Sequence, residues 1–184
     1  MSFGLIRSIR KFFEKEEHPD LTVSDIIRFY STPPEDIFSM FDTLVKMCGI
    51  SLPQENATIF APTNTALTKM FREYGKGFDD PLAFYSGIDK KKLRNIISYH
   101  IVEDPITYEE ITSTEGGSED GHFTKQYDAS NGQVLAVIIG DEGVRVKDVQ
   151  TDSKDKKILE LFEAKNNGYI YKISGMLLPS DTTL

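Results

Sequence analysis

The chain has 184 residues, of which 39% are hydrophobic and 27% are charged, and its formal net charge is −8 at pH 7. This size suits one domain with one core, and the composition excludes a chain that is disordered throughout. The acidic balance, with lysine runs interleaved with acids, argues against nucleic acid as a partner. The single cysteine, Cys48, excludes an intramolecular disulfide.

The cellular location is predicted from the lack of a signal peptide and of a membrane-spanning segment in the sequence. Residues 1–13 lack the continuous apolar run of a signal peptide, and no stretch approaches the length of a membrane span. We therefore expect a protein made and kept inside a cell, or in a particle assembled there. An extracellular location stays open if a targeting segment has been removed.

Residues 1–20 are predicted to form an amphipathic arm and a hinge that precede the domain. Apolar residues at helical spacing alternate with basic ones: Leu5, Ile6, Ile9, Phe12 and Phe13 against Arg7, Arg10 and Lys11. This helix is predicted to pack on its own domain or on a partner chain. A membrane-surface helix and an uncleaved mitochondrial-type presequence are the alternatives. The charged stretch Glu14–Asp20, which contains His18-Pro19, is interpreted as the hinge.

Helices are predicted to dominate the first half of the domain, which is expected to span residues 21–184. Ser24 is the expected N-cap of a helix within residues 21–30, and Thr32-Pro33-Pro34-Glu35 is expected to start the next helix. A short buried strand over residues 57–61 precedes a helix over residues 64–74, capped by Thr63. Asp80-Pro81 and Asp89 mark two further helices, and residues 99–102 are expected to be extended.

Alternating apolar residues and turn signals predict strands in the second half. They are expected at residues 122–127, 133–139 and 143–149, with Asn131-Gly132 and residues 140–143 as hairpin turns. These strands would form an antiparallel meander. A charged helix that buries Ile158, Leu161 and Phe162 is expected over residues 153–165. Asn167-Gly168 then turns the chain into a last strand over residues 169–173.

Three separated segments resemble the signature sequences of the fasciclin domain family. Residues 58–67, TIFAPTNTAL, resemble a strand that runs into "FAPTN-x-A-hydrophobic" and then a helix. Residues 93–102 resemble the family's "L-x-x-I-I-x-Y-H-I-V". Residues 167–179 resemble the closing "N-G-hydrophobic-I-H-x-I-D-x-V-L-L-P". The order and spacing of the segments agree with the family over about residues 37–179.

Two positions in the third segment depart from the family pattern. Tyr171 stands where the family usually has His, and Ser174 stands where it usually has Asp. The apolar positions of the segment are kept: Ile170, Ile173, Leu177 and Leu178. The chain is therefore identified as a divergent member of the family. The two departures leave the expected fold in place but weaken any inference about its partner.

The resemblance implies an α+β fold, an antiparallel β-sandwich or wedge with several helices packed on it mainly from the first half. It also implies an adhesion or interaction module in which the Tyr99-His100 pair helps to build a cell-surface contact. The alternative for these two residues is that both rings are packed or hydrogen-bonded near the edge of the core.

The sequence shows no constellation of reactive groups that predicts an enzyme. The three histidines, His18, His100 and His122, have no His or Cys neighbour at metal-ligand spacing. There is no Gly-x-Ser-x-Gly elbow, phosphate loop or dinucleotide fingerprint. We therefore expect no catalysis, no cofactor and no metal.

The leading functional hypothesis is a non-catalytic protein–protein interaction module. It would serve as a structural subunit of an assembly built inside cells, such as a virion minor capsid protein or a subunit of an organellar complex. Phe3, Ile6, Ile9 and Phe13 of the arm would anchor it in a partner's groove. One alternative is a secreted or surface-anchored cell-adhesion domain. Another is an enzyme or small-ligand carrier with a pocket between the helices and the sandwich.

Overall fold

The computed structural model describes residues 13–113, 122–149, 154–180, 182 and 184. These residues form six helices: α1 Val23–Phe29, α2 Ser39–Met47, α3 Asn64–Tyr74, α4 Pro81–Gly87, α5 Lys90–Ser98 and α6 Tyr108–Thr112. They also form an eight-stranded sheet: β1 Glu14–His18, β2 Ala57–Pro62, β3 Ile101–Val102, β4 Phe123–Asp128, β5 Val134–Gly140, β6 Gly143–Lys147, β7 Lys156–Ala164 and β8 Gly168–Ile173.

The sheet is mixed and almost closed on itself. Its strand order is β3-β2-β8-β7-β6-β5-β4, and β1 pairs with β7 beside this path. β2 is parallel to β8 and β1 is parallel to β7, whereas the other neighbours are antiparallel. At the two ends of the order, a bridge joins Val102 to Ala129. The α+β class agrees with the sequence, but the sheet is barrel-like rather than a plain antiparallel sandwich, because this bridge joins its two ends and two of its pairings are parallel.

Two hydrophobic clusters lie on the two sides of the curved sheet. Ile59 of β2 and Ile170 of β8 belong to the cluster between the helices and the sheet. The next residue in each strand, Phe60 or Tyr171, belongs to the cluster inside the barrel. These strands therefore alternate their side chains between two apolar layers, which explains their continuous apolar sequences.

The stretch predicted to be a charged helix contains strand β7, so that prediction is wrong. The register of β7 against β8 shifts between Ile158 and Glu160, where a bulge adds one residue. Ile158 and Leu161 therefore face the same cluster inside the barrel although they are three positions apart, and Phe162 faces the helices. This spacing of buried residues imitates that of an amphipathic helix.

Strand β1 occupies the stretch that the sequence indicates as a hinge. It pairs with β7 from Glu14 opposite Glu160 to His18 opposite Ala164. The Lys15 amine lies 2.9 Å from the Glu163 carboxylate, and this hydrogen bond raises the pKa of Lys15. Four of the five β1 residues are exposed. The sequence therefore has no apolar alternation here, and tertiary pairing alone makes this stretch a strand.

The first two helices begin at other residues than predicted. Thr22 rather than Ser24 caps α1, because its hydroxyl accepts from the Asp25 N–H at 3.2 Å and Asp25 accepts from the Thr22 N–H at 3.0 Å. The predicted helix start at residues 32–35 lies in a loop that contains a cis Pro33-Pro34 peptide, and α2 begins only at Ser39. Helix α6 has five residues and is absent from the sequence prediction because its length shows no periodicity.

The chain from β2 to α5 follows the sequence prediction closely. Thr63 caps α3, and Asp80 and Asp89 cap α4 and α5 through their side chains. Both predicted hairpin turns are present, and Gly132 and Gly143 have positive φ angles there. Among the residues that the structure describes, no helix is long and apolar enough to cross a membrane.

Candidate functional site

The Tyr99-His100 pair lies between the end of α5 and the beginning of β3. Both side chains are 0% exposed. Tyr99 belongs to the cluster inside the barrel, and the ring centre of His100 lies 5.9 Å from that of Phe41 in α2. Both rings are therefore packed in the core, so a partner would reach them only if the surrounding residues moved.

The Tyr99 hydroxyl joins the beginning of β5 to the chain that follows β6. It donates to the Val134 carbonyl at 2.7 Å and accepts from the Val149 N–H at 3.2 Å. Burial raises the pKa of Tyr99 to about 12, although the bond from Val149 favours the ionised form. The hydroxyl is therefore protonated at neutral pH and holds the beginning of β5 beside the chain that follows β6.

The His100 imidazole connects α5 to the chain that follows β8. Its Nδ1 donates to the Ile96 carbonyl at 2.8 Å, and its Nε2 accepts from the Leu177 N–H at 2.9 Å. These bonds select the neutral tautomer with the proton on Nδ1. Burial lowers the pKa of His100 to about 4, whereas the Ile96 carbonyl and the Asp148 carboxylate favour the charged ring.

Asp148 binds the next residue of the same C-terminal chain. Its Oδ2 accepts from the Leu178 N–H at 2.9 Å and lies 3.6 Å from the Lys156 amine. The Asp148 side chain is 0% exposed, so these partners compensate for the lost hydration of its carboxylate. The sequence does not single out Asp148, because one aspartate after a strand carries no pattern. We call the contacts of His100 and Asp148 with Leu177 and Leu178 the C-terminal latch.

The two departures from the signature pattern have their own partners in this structure. The Tyr171 hydroxyl donates to the Ile106 carbonyl at 2.8 Å, and its ring stacks on Phe60 with the centres 5.5 Å apart. Ser174 accepts from the Lys157 N–H at 2.9 Å through its hydroxyl. Both residues therefore support the core and the sheet at positions where the family usually has His and Asp.

Of the arm residues expected to anchor the chain in a partner, Phe13 packs into its own domain. It is 4% exposed and belongs to the cluster inside the barrel. Its ring meets that of Tyr108 edge to face, with the centres 5.4 Å apart. The other predicted anchors, Phe3, Ile6 and Ile9, lie outside the described residues. Phe13 is thus a core residue directly before β1.

Three large apolar side chains are exposed within residues 74–82. Tyr74 is 50%, Phe78 is 42% and Leu82 is 41% exposed. The Phe78 ring also packs edge to face on the buried Phe84 ring, with the centres 5.6 Å apart. Single exposed apolar residues are ordinary, and these three are singled out because they lie within one short stretch of the chain. We call Tyr74, Phe78 and Leu82 the α3–α4 surface.

A cleft of about 420 Å³ opens between the beginning of α3 and the outer side of β7 and β8. Its lining includes Asp36, Ile37, Thr65, Lys69, Leu159 and Lys172. Lys172 is paired with Glu160 at 2.7 Å. The volume lies in the range of small-ligand sites. The lining can bind through charge and hydrogen bonds but includes no His or Cys.

The histidines and the cysteine are placed apart from one another. The His18 ring packs against Tyr30 with the ring centres 5.8 Å apart, and His122 is exposed. Burial raises the pKa of the Cys48 thiol, which makes it a poor nucleophile at neutral pH. Within the described part of the chain, no group of three or more His, Cys, Asp or Glu residues could hold a metal ion.

The chain was compared with protein families, curated proteins and solved structures. A family model described as "Fasciclin domain" matches residues 37–179. No curated protein sequence matches the chain. Among solved structures, a domain pair from the insect cell adhesion molecule Fasciclin I matches with a TM-score of 0.39 and 17% identity. That alignment covers 86% of this chain and 47% of the other, so this chain spans about half the length of that structure.

Proposed function

Since the chain belongs to the fasciclin domain family, whose members are usually adhesion or interaction modules, we propose that it is a non-catalytic protein–protein interaction module. The observation that carries the proposal is the α3–α4 surface. Its side chains expose apolar area to water, and a protein partner would remove that area from water. Aromatic residues are also enriched among the few interface residues that contribute most of the binding free energy.

The proposal is tested by finding the partner and then measuring its affinity. Cross-linking in the native cell or particle identifies neighbouring proteins, and the purified partner is titrated against the wild type and the variant Y74S/F78S/L82S. We expect the variant to bind at least about tenfold more weakly, because interface aromatic residues often contribute more than 1 kcal/mol each. F29S is the matched control, since Phe29 is 55% exposed in a different helix. Equal affinities for all three proteins would disprove the role of the surface.

The finer proposal is a structural subunit of an assembly made inside cells, such as a virion or an organellar complex. The N-terminal arm would dock on a neighbouring subunit through Phe3, Ile6 and Ile9. The packing of Phe13 supports this proposal, because it gives the predicted arm a fixed attachment directly before β1, and a fixed attachment lowers the entropy lost on docking.

Deletion of residues 1–12, which keeps Phe13 and β1, tests this role of the arm. We expect an unchanged melting temperature and loss of co-purification with the assembly. The variant F3S/I6S/I9S should behave like the deletion. The variant R7A/R10A/K11A should still co-purify with the assembly. If instead the wild type binds anionic vesicles and this variant does not, the membrane-surface alternative is supported. Intact assembly after the deletion would end the proposal.

Family membership also favours the second candidate, a secreted or surface-anchored adhesion domain. This candidate predicts that the native protein reaches the outside of the cell and that the purified domain supports cell attachment. The α3–α4 surface would then face a cell-surface protein. Fractionation that finds the native protein only in an internal assembly would exclude this candidate and leave the first one standing.

A further inference from the structure

The C-terminal latch holds a segment of chain that has left the sheet. After β8 ends, residues 176–179 have no strand or helix, yet Leu177 and Leu178 are buried. Their successive N–H groups are bound by His100 and Asp148. Backbone groups buried outside regular structure depend on such side-chain partners. Two ionisable residues therefore help to hold this segment, together with the burial of Met176 and the bond from the Ser180 N–H to Gln133 at 2.8 Å.

The acceptor atom at His100 is also the atom that takes up a proton. Nδ1 already carries one, so a second proton must go to Nε2, which accepts from Leu177. A protonated Nε2 is a donor and faces the Leu177 N–H with no acceptor between them. Protonation therefore breaks the bond and places a charge on a ring that is 0% exposed.

Two charged groups act on this ring, and they oppose each other. The Asp148 carboxylate favours the charged imidazole, whereas the Lys156 ammonium disfavours it. Lys156 lies 3.6 Å from Asp148 and therefore neutralises the carboxylate that could otherwise stabilise a charged His100. From α2, the neighbour is the uncharged ring of Phe41. Among the described residues, the carboxylate that favours a charged His100 is thus shared with a lysine.

We propose that the C-terminal latch is an acid-sensitive release: protonation of His100 frees residues 175–180 from the barrel while the rest of the domain stays folded. Release would expose Met176, Leu177 and Leu178, break the bond from the Ser180 N–H to Gln133, and uncover the Asp148 carboxylate. Any chain that follows this segment would then change its position relative to the barrel.

The direction of the pH effect follows from the two protonation states. The pKa of His100 is about 4 in the closed latch, compared with 6.5 for an ordinary histidine. Between these values the open latch binds more protons than the closed one, so falling pH favours opening. The latch is fully stable above the ordinary pKa and loses stability as the pH falls toward the folded-state pKa.

Native-state amide hydrogen exchange on the full chain tests the release. After correction for the intrinsic exchange rates, the opening equilibrium at Leu177 and Leu178 should rise about 30-fold from about pH 7.5 to about pH 5. The Val137 amide, in central strand β5, should open at least about tenfold less often than Leu177 at both pH values. An unchanged equilibrium at Leu177, or exchange of Leu177 only together with Val137, would overturn the proposal.

Two glutamine variants assign the effect to one ring. In H100Q the side-chain oxygen can accept from Leu177 but does not titrate, so the rise in opening should disappear. H122Q is the matched control because His122 is exposed, and it should keep the full rise. If H100Q does not fold, the pKa and the tautomer of His100 are measured instead by NMR titration of the wild-type protein. A His100 pKa near 4 with the proton on Nδ1 supports the proposal, and one near 6.5 refutes it.

Discussion

The Leu177 N–H donates to Nε2 of His100 at 2.9 Å, although 77 positions separate these residues in the chain. The bond joins the second signature segment to the third. Together with the two bonds of the Tyr99 hydroxyl, it ties α5 to β5, to the chain after β6 and to the chain after β8. The Tyr99-His100 pair thus connects four distant parts of the fold, and its substitution should affect stability before it affects any surface.

Replacement of His100 by Phe should lower the free energy of unfolding by about 3 kcal/mol at neutral pH. The Leu177 N–H would lose its partner in the core, and a buried unsatisfied group costs about 1–3 kcal/mol. The Ile96 carbonyl would keep the bond from the Tyr99 N–H at 3.2 Å. Urea denaturation followed by circular dichroism measures the loss. H122F changes an exposed histidine and should be neutral, so equal losses in both variants would contradict this role of His100.

Replacement of Tyr99 by Phe removes the hydroxyl oxygen that binds both the beginning of β5 and the chain that follows β6. The Val134 carbonyl and the Val149 N–H would lose their partner while the ring remains in the core. We expect a loss of about 2 kcal/mol. Y74F is the control, because Tyr74 is 50% exposed and its hydroxyl is not needed inside the protein. A melting temperature as high for Y99F as for Y74F would show that the two segments are held by other contacts.

Replacement of Phe13 by Ala should destabilise the domain by about 3 kcal/mol, because it opens a cavity beside Tyr108 inside the barrel. Phe29, which is 55% exposed, provides the comparison, and F29A should change the free energy of unfolding by less than about 0.5 kcal/mol. Deletion of residues 1–12 should leave stability unchanged. If the deletion destabilises the domain as much as F13A does, the arm itself contributes to the core.

Two glycines should respond to alanine for different reasons. A Cβ atom at Gly168 would lie 2.6 Å from Cγ2 of Val23, so G168A should cost about 2 kcal/mol through overpacking between β8 and α1. Gly132 has a φ of +82° and open space around it, so G132A should cost about 1 kcal/mol through backbone strain alone.

A double-mutant cycle separates these mechanisms. V23A should partly rescue G168A, since the smaller side chain makes room for the new methyl group, and it should not rescue G132A. Additive losses in V23A/G168A would mean that the contact with Val23 does not limit the substitution. Thermal or urea denaturation of the single and double variants provides the comparison.

Local patterns predicted the part of the fold in which neighbouring residues decide the structure. Thr63 caps α3 through the N–H of Ala66, three positions away, and Asp80 and Asp89 act in the same way on α4 and α5. The hairpins of β4, β5 and β6 also pair strands that follow each other, and their turns were predicted correctly. In each case the interacting groups lie within a few positions, so the sequence displays them together.

The errors fall where distant contacts override local patterns. β1 is charged and exposed, and it is a strand only because β7 offers an edge to which it can pair. The bulge at Ile158 gives β7 the apolar spacing of a helix. The sheet is mixed and nearly closed because β2 pairs in parallel with β8 and a bridge joins Val102 to Ala129, although β2 and β8 were each predicted with nearly correct bounds.

The sequence by itself determined the family, the α+β class and the residues of the signature segments, because these depend on residue identity and short spacings. The tertiary structure decided what Tyr99, His100 and Phe13 do. Their burial and their partners arise from chain segments far away in sequence, and desolvation of a ring or a hydroxyl depends on all of those segments together. Asp148 belongs to the same class, since only the folded chain brings its carboxylate to the Leu178 amide.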